Sequence, residues 1–169
     1  MPETHSLIER TKPLFDRDIA GNESLLSETV ENARILVIGG AGSIGQAVVK
    51  ELFSRNPKAL HVVDLSENGL VELVRDIRSS LGYIDGDFRT FAVDYGQPEF
   101  DALVADHGPY HYMANLAALK HVRSERDPFT LMRLTRVNVL HTARSLQIAQ
   151  KAGVRKYFAV SSDKAANPF

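Results

Sequence analysis

Cysteine is absent from the sequence. That excludes disulfides and thiolate metal sites, and it fits a reducing cytoplasm, the expected location. Long apolar runs are missing too: none approaches the ~20 residues needed to cross a bilayer, so no membrane partner is expected. The first 18 residues are too polar for a secretory signal. Charge of one sign is missing as well. Twenty Lys and Arg balance 21 Asp and Glu for a net charge of −1, so nothing points to a nucleic acid or another polyanion. His121 has no metal-ligand spacing with any other histidine, and there is no internal repeat or low-complexity stretch. What remains is a 169-residue chain with 44% hydrophobic residues, enough for one domain with a core.

Residues 1–32 read as a helical preamble. Segments 7–15 and 24–30 are each expected to form a short helix, with Gly21-Asn22 as the break. Their apolar residues, Leu7, Ile8, Leu14, Phe15, Leu25, Leu26 and Val30, suggest docking onto another surface. Residues 33–169 form the second unit. A regular alternation starts in it at Arg34. Ile35-Leu36-Val37-Ile38 is a short unbroken apolar run, the mark of a strand covered on both faces. A helix is expected over 43–53, then a strand over 60–63 ending at Asp64. Ser66 should cap the next helix, whose apolar face is assigned to Val71, Leu73, Val74 and Ile77. A strand over 88–93 ends at Asp94, and Pro98 opens a short helix. A fourth strand spans 110–116. A long helix over 128–151 is closed by Gly153, and a fifth strand covers 157–160. Strands interleaved with helices imply an α/β, Rossmann-type, doubly wound parallel sheet with right-handed crossovers. Ligands of such sheets sit beyond the carboxyl ends of the strands.

The residues of chemical interest fall at those ends. Gly39, Gly42 and Gly45 give a G-x-x-G-x-x-G spacing between the first strand and the helix that opens at Ser43 and Ile44. Gly39 permits the tight turn, Gly42 lets a pyrophosphate approach the backbone, and Gly45 lets helix and strand pack closely. The helix N-terminus offers free N–H groups and a positive dipole end to the phosphates. Asp64 lies 19 positions past Gly45, where a carboxylate accepts hydrogen bonds from the adenosine ribose and repels a 2′-phosphate. The cofactor read from these residues is therefore NAD rather than NADP. Asp94 and Tyr95 are candidates for the adenine edge. The plain alternatives are a surface Asp64 that caps the helix after Ser66 and an Asp94 that merely forms a turn.

Two further segments, Asn115-Leu116-Ala117-Ala118-Leu119-Lys120-His121-Val122 and Ser161-Ser162-Asp163-Lys164-Ala165-Ala166-Asn167-Pro168, resemble signatures of the extended short-chain dehydrogenase/reductase superfamily. Within it they are most similar to the UDP-N-acetylglucosamine 4,6-dehydratases of surface-polysaccharide synthesis. The resemblance covers residues 33–169. It implies a UDP-amino-sugar substrate and three chemical events: oxidation at C4, elimination of water across C5 and C6, and return of hydride to C6. It also implies roles. Ser162 would hydrogen-bond the 4-oxygen, Asp163 would protonate the departing 6-hydroxyl, and Lys164 would be the base at C5. Asn115, Leu116 and Ala117 would line the nicotinamide side through their backbone. Lys120 would contact cofactor or substrate, and Asn138 would correspond to the helix Asn that supports the active site; a mid-helix Asn bonded only locally is the alternative.

The superfamily's Tyr-x-x-x-Lys pair does not occur, since no Tyr is followed by Lys four residues later. The chain is thus expected to be the cofactor-binding half of a larger enzyme, inactive alone. Its half-sheet should expose an apolar edge and favour a homo-oligomer. Other readings are a 4-epimerase or reductase of the same superfamily, or a non-catalytic NAD-binding module.

Overall fold

The apolar run at 35–38 becomes β1 (Arg34–Ile38), and its four apolar side chains are all buried. In the computed structural model, which describes residues 15–120 and 127–161, β1 is the middle of a five-stranded sheet. The other strands are β2 (Ala59–Asp64), β3 (Asp87–Ala92), β4 (Tyr112–Asn115) and β5 (Lys156–Ala159). All pairings are parallel, in the order β3-β2-β1-β4-β5. Ile38 is registered against Val63 of β2 on one side and Asn115 of β4 on the other.

Alternation along β1 divides the core. Ile35 and Val37 point to one face, with Leu60 and Val62 of β2. That face is covered by α2 (Ser43–Phe53) through Val49 and Phe53, and by α3 (Glu67–Ser80) through Leu70, Leu73 and Ile77. Leu36 and Ile38 point to the other face, covered by α4 (Pro98–His107) through Phe100, Leu103 and Val104 and by α6 (Thr142–Lys151) through Ala149. Because side chains alternate across a strand, a run without polar interruption is stable only when both faces are covered. Burying each Leu, Ile or Phe contributes about 1.5–3 kcal/mol.

The α3 face differs from the sequence expectation at one position. Val71 is exposed, and Leu70 is the buried residue in that turn. Leu70, Leu73 and Ile77 follow i, i+3, i+7, which keeps one stripe on the sheet, whereas Val71 lies about 100° further round. Ser66 caps α3 as expected, its Oγ accepting the Gly69 N–H at 3.1 Å.

The expected break at Gly21-Asn22 is also overturned. One continuous helix, α1 (Asp16–Glu31), runs through both residues. A Gly within a helix costs only about 1 kcal/mol, and the Asn22 amide donates back to Asp18 O at 2.8 Å, within the helix. The expected helix over 7–15 lies outside the described residues except for Phe15. Of the apolar residues in α1 only Val30 is buried, joining the β1 face. Upstream, the helix is held by Glu23, whose carboxylate receives the Arg55 guanidinium at 2.5 Å.

The long helix expected over 128–151 is present with an irregularity. It comprises α5 (Pro128–Thr135), a π-helical turn (Arg136–His141) and α6. Gly153 follows it at φ +72°. At the far side, β5 is an edge strand, and Phe158 and Val160 are 60% and 49% exposed there. No helix among the described residues is long and apolar enough to cross a membrane.

Candidate functional site

From β1 the chain crosses to β2 on one side, and after β3 it returns to β4 on the other. The carboxyl ends of β1 and β4 therefore part company, leaving the crevice in which sheets of this kind bind ligands. The glycine loop sits in its mouth. Gly39 has φ +79°, a conformation that side chains rarely adopt, and a Cβ there would strike the backbone of Leu116 and Ala117 just past β4. Gly45 is buried, and a Cβ there would strike Gly39 O. These two glycines are thus required by packing between the turn, the helix and the β4 loop. Gly42 is different: the nearest protein atom to a Cβ would be Gly39 O at 3.6 Å. It leaves a cradle that a side chain would fill.

Gly42 is also the N-cap of α2 and has no side chain to cap it. The first-turn N–H groups at Ser43 and Ile44 have no intrahelical acceptor, by the geometry of any helix start. Both residues are exposed, Ile44 at 56%. The result is an open helix N-terminus with its positive dipole end facing the crevice, suited to a pyrophosphate.

Asp64 ends β2 beside this loop. Its Oδ2 accepts the Ala41 N–H at 2.9 Å and its Oδ1 accepts the Ser66 N–H at 2.9 Å. The carboxylate therefore ties down the Ser66 backbone ahead of α3, whose cap is the Ser66 side chain, and it also anchors the glycine loop. A carboxylate has about four acceptor positions, so these two bonds leave capacity for ribose hydroxyls.

Asp94 follows β3, and its Oδ1 accepts the Gly96 N–H at 2.8 Å. Tyr95 beside it turns inward: it is 5% exposed, and its hydroxyl donates to Val137 O at 2.5 Å. Burial pushes the Tyr95 phenol pKa up. Contact between Tyr95 and a ligand is therefore left to the backbone. His141 lies under this loop, 3.7 Å from Asp94 Oδ1 and packed against Gly96.

At the end of β4, Asn115 is 3% exposed and fully bonded. Its Oδ1 accepts the Ala117 N–H at 3.1 Å, and its Nδ2 donates to Tyr157 Oη at 3.1 Å and Thr142 Oγ1 at 3.3 Å. Leu116 N donates to Ile38 O at 2.8 Å, continuing the ladder. Asn138 is not bonded locally. Its side chain makes a two-point contact with the Leu119 backbone: Oδ1 accepts the N–H at 2.9 Å and Nδ2 donates to the carbonyl at 2.9 Å. It does so from the π-helical turn, a distortion that often marks functional positions. Lys120 is exposed next to that contact.

The site residues expected from sequence thus converge from β1, β2, β3, β4 and the long helix. Ser162, Asp163 and Lys164, with His121, lie outside the described residues. Several contributors were not anticipated. Gly40 sits where a Cβ would hit Val62 on β2, and a Cβ on Gly69 would press on Ala41. Gly40 was visible in the glycine run. Thr142, Ser145 and Tyr157 gave no signal, because their role depends on partners far away in sequence.

Comparison with known proteins gives a consistent answer. A family described as "Polysaccharide biosynthesis protein" matches residues 35–169. The "uncharacterized membrane protein MJ1061" of Methanocaldococcus jannaschii is 34% identical over 145 residues, 85% of this chain and 40% of that protein. The capsular polysaccharide biosynthesis protein CapD of Staphylococcus aureus is 26% identical over 146 residues, 86% of this chain and 24% of that protein. The chain therefore spans less than half the length of these relatives. Among solved structures, a UDP-glucose-4-epimerase from Stenotrophomonas maltophila, with bound NAD and formylated UDP-arabinopyranose, superposes with a TM-score of 0.65 at 26% identity. That match covers 79% of this chain and 38% of the epimerase.

Proposed function

The chain belongs to the polysaccharide biosynthesis protein family, and we propose that it is the cofactor-binding half of an NAD-dependent nucleotide-sugar 4,6-dehydratase acting on a UDP-N-acetylglucosamine-type substrate. The observation that carries this reading is the crevice itself. An uncapped helix start, the Gly42 cradle and the Asp64 carboxylate face one side of it, and the Asn115–Ala117 backbone closes against Gly39 on the other.

The residues present fit a dinucleotide. Ser43, Ile44 and Gly45 would direct backbone N–H groups at the pyrophosphate. Asp64 would accept the adenosine ribose hydroxyls and repel a 2′-phosphate, which favours NAD over NADP. Asp94 and the Tyr95 backbone would meet the adenine edge. Ala117 would flank the nicotinamide end, with Asn138 supporting that loop from behind. Lys120 would reach cofactor or substrate. Bound NAD supplies the acceptor and donor of hydride.

The elimination falls to the segment just past β5. Ser162 would hydrogen-bond the sugar 4-oxygen. Lys164 would take the C5 proton, and Asp163 would give a proton to the departing 6-hydroxyl. A base acts only when neutral, and lysine ordinarily titrates near 10.4, so Lys164 requires burial or a cationic neighbour. Adjacent residues leaving a strand diverge in direction, which would let the two reach different carbons of one ring.

The similarity to a UDP-glucose-4-epimerase supports a second reading, C4 epimerisation. Epimerisation needs no acid and base at C5 and C6, so the Asp163-Lys164 pair favours the dehydratase. The test is to incubate the full-length protein with NAD⁺ and UDP-N-acetylglucosamine. A 4-keto-6-deoxy product, lighter by one water, is expected. A product of unchanged mass inverted at C4 would establish the epimerase instead, and unaltered substrate would overturn both.

A further inference from the structure

Beneath the crevice lies a buried polar cluster that neither the fold nor the proposed chemistry requires by itself. It joins the elements whose ends form the site: Asn115 from β4, Thr142 and Ser145 from α6, and Tyr157 from β5. Ser145 is fully buried and Asn115 nearly so, among apolar residues of the α4–α6 face.

The hydrogen bonds in this cluster have a single consistent direction. Ser145 Oγ–H donates to Thr142 O at 2.9 Å, which uses its only proton. Ser145 Oγ, 2.7 Å from Tyr157 Oη, must then be the acceptor, so Tyr157 O–H is the donor. Tyr157 Oη is left to accept from Asn115 Nδ2 at 3.1 Å. With its NH₂ held on that side, the Asn115 amide presents Oδ1 to the Ala117 N–H at 3.1 Å. The Ala117 backbone in turn lies where a Gly39 side chain would be.

We propose that Tyr157 is a positioning residue for the cofactor site: its hydroxyl fixes which way round the Asn115 amide sits, and so holds the Ala117 backbone against the glycine loop. The proposal rests on the NAD-binding reading above. Without the hydroxyl, Nδ2 keeps the longer 3.3 Å contact to Thr142 Oγ1, with the Tyr95 hydroxyl beside it, and the amide is held less firmly. The acceptor of the Ala117 N–H is then less firmly positioned, at the nicotinamide end of the crevice. The side chains of Asp64 and Asp94 at the adenosine end are held by the backbones of Ala41, Ser66 and Gly96, not by the Tyr157 hydroxyl, and keep their geometry.

The experiment compares Tyr157→Phe with the unmutated full-length protein, titrating NAD and AMP separately by calorimetry. One lost hydrogen bond corresponds to a roughly three- to tenfold weaker affinity. The expected result is NAD binding weakened by about that factor with AMP binding unchanged, together with faster amide exchange at Ala117. Equal weakening of both ligands would mean general loosening and would overturn the proposal, as would unchanged NAD binding. Ser145→Ala, which removes the acceptor of the Tyr157 proton, should reproduce the selective loss and serves if Tyr157→Phe does not fold. Failure of the unmutated protein to bind NAD would instead overturn the underlying reading of the crevice.

Discussion

Asp64 Oδ2 accepts the Ala41 N–H at 2.9 Å, joining the carboxyl end of β2 to the glycine loop before any cofactor is considered. On the proposed reading the same carboxylate would receive the adenosine ribose, so cofactor choice and loop geometry would depend on one side chain. NAD is expected to bind more tightly than NADP, because a carboxylate beside a 2′-phosphate is unfavourable in a partly desolvated site. Asp64→Gly should narrow that preference. It should also weaken NAD itself by about ten- to a hundredfold, the usual cost of losing hydrogen bonds to a charged group. Parallel titrations of both cofactors check this, and equal affinity in the unmutated protein would remove Asp64 as the selector.

The glycines separate into those that packing requires and those it does not. Gly45→Ala must displace Gly39 O and should destabilise the fold by about 1–3 kcal/mol, as overpacking does, while abolishing tight NAD binding. Gly21 sits in α1 with nothing within 4 Å of an added Cβ. Gly21→Ala should therefore stabilise by about 0.5–1 kcal/mol. Thermal melts of the two variants should shift in opposite directions.

Asn138 holds Leu119 by two hydrogen bonds across the crevice loop. Asn138→Leu removes both and leaves the Leu119 backbone without partners. A loss of about 1–3 kcal/mol in stability is expected, with a raised KM for NAD in the full-length enzyme. A variant with unchanged melting and unchanged KM would return Asn138 to an ordinary surface role.

Lys164 and Asp163 are separable by isotope. In the full-length enzyme, Lys164→Ala should block exchange of the C5 proton with deuterated solvent. Asp163→Asn should retain part of the C4 oxidation while slowing water loss by about 10²–10⁴. Normal elimination by the lysine variant would show that another group is the base.

A pH effect is expected far from the crevice. His61 is fully buried on β2, its Nδ1 2.6 Å from Tyr110 Oη and its Nε2 3.1 Å from Asp87 Oδ2. Burial lowers its pKa below the ordinary value, and the adjacent Asp87 only partly opposes this. The unfolded chain therefore binds this proton more readily than the folded one. Stability is complete above about pH 6.5, the unfolded value, and declines as pH falls from there toward the lower folded pKa. His111, also lowered by burial, adds in the same direction. Melting temperatures measured from pH 7.5 to 5 should fall, and His61→Gln should flatten the curve.

How far these features were visible in the sequence depends on the range of the interactions behind them. The strands were legible because an unbroken apolar run such as 35–38 has few stable places other than a sheet covered on both faces. The glycine loop and Asp64 were legible because a turn, a helix start and a strand end are local, and their chemistry follows from residue type. The continuity of α1 through Gly21-Asn22 was misjudged because the cost of one glycine is small beside the gain of a continuous helix. The buried stripe of α3 was set by which turn meets the sheet, a choice between Leu70 and Val71 that periodicity alone left one residue off.

What the sequence by itself determined is the layered sheet and the placement of the glycine loop, Asp64, Asp94 and Asn115 at the ends of its strands. What only the tertiary structure decided is how those groups are held. Tyr157 and Thr142 meet Asn115, Ser145 meets Tyr157, and Asn138 meets Leu119, because parallel strands and crossover helices bring distant residues within 3.3 Å. A hydrogen bond depends on distance and direction between two atoms, and for residues 12 to 42 positions apart those are set by the packing of the sheet and helices, not by the local sequence around either partner.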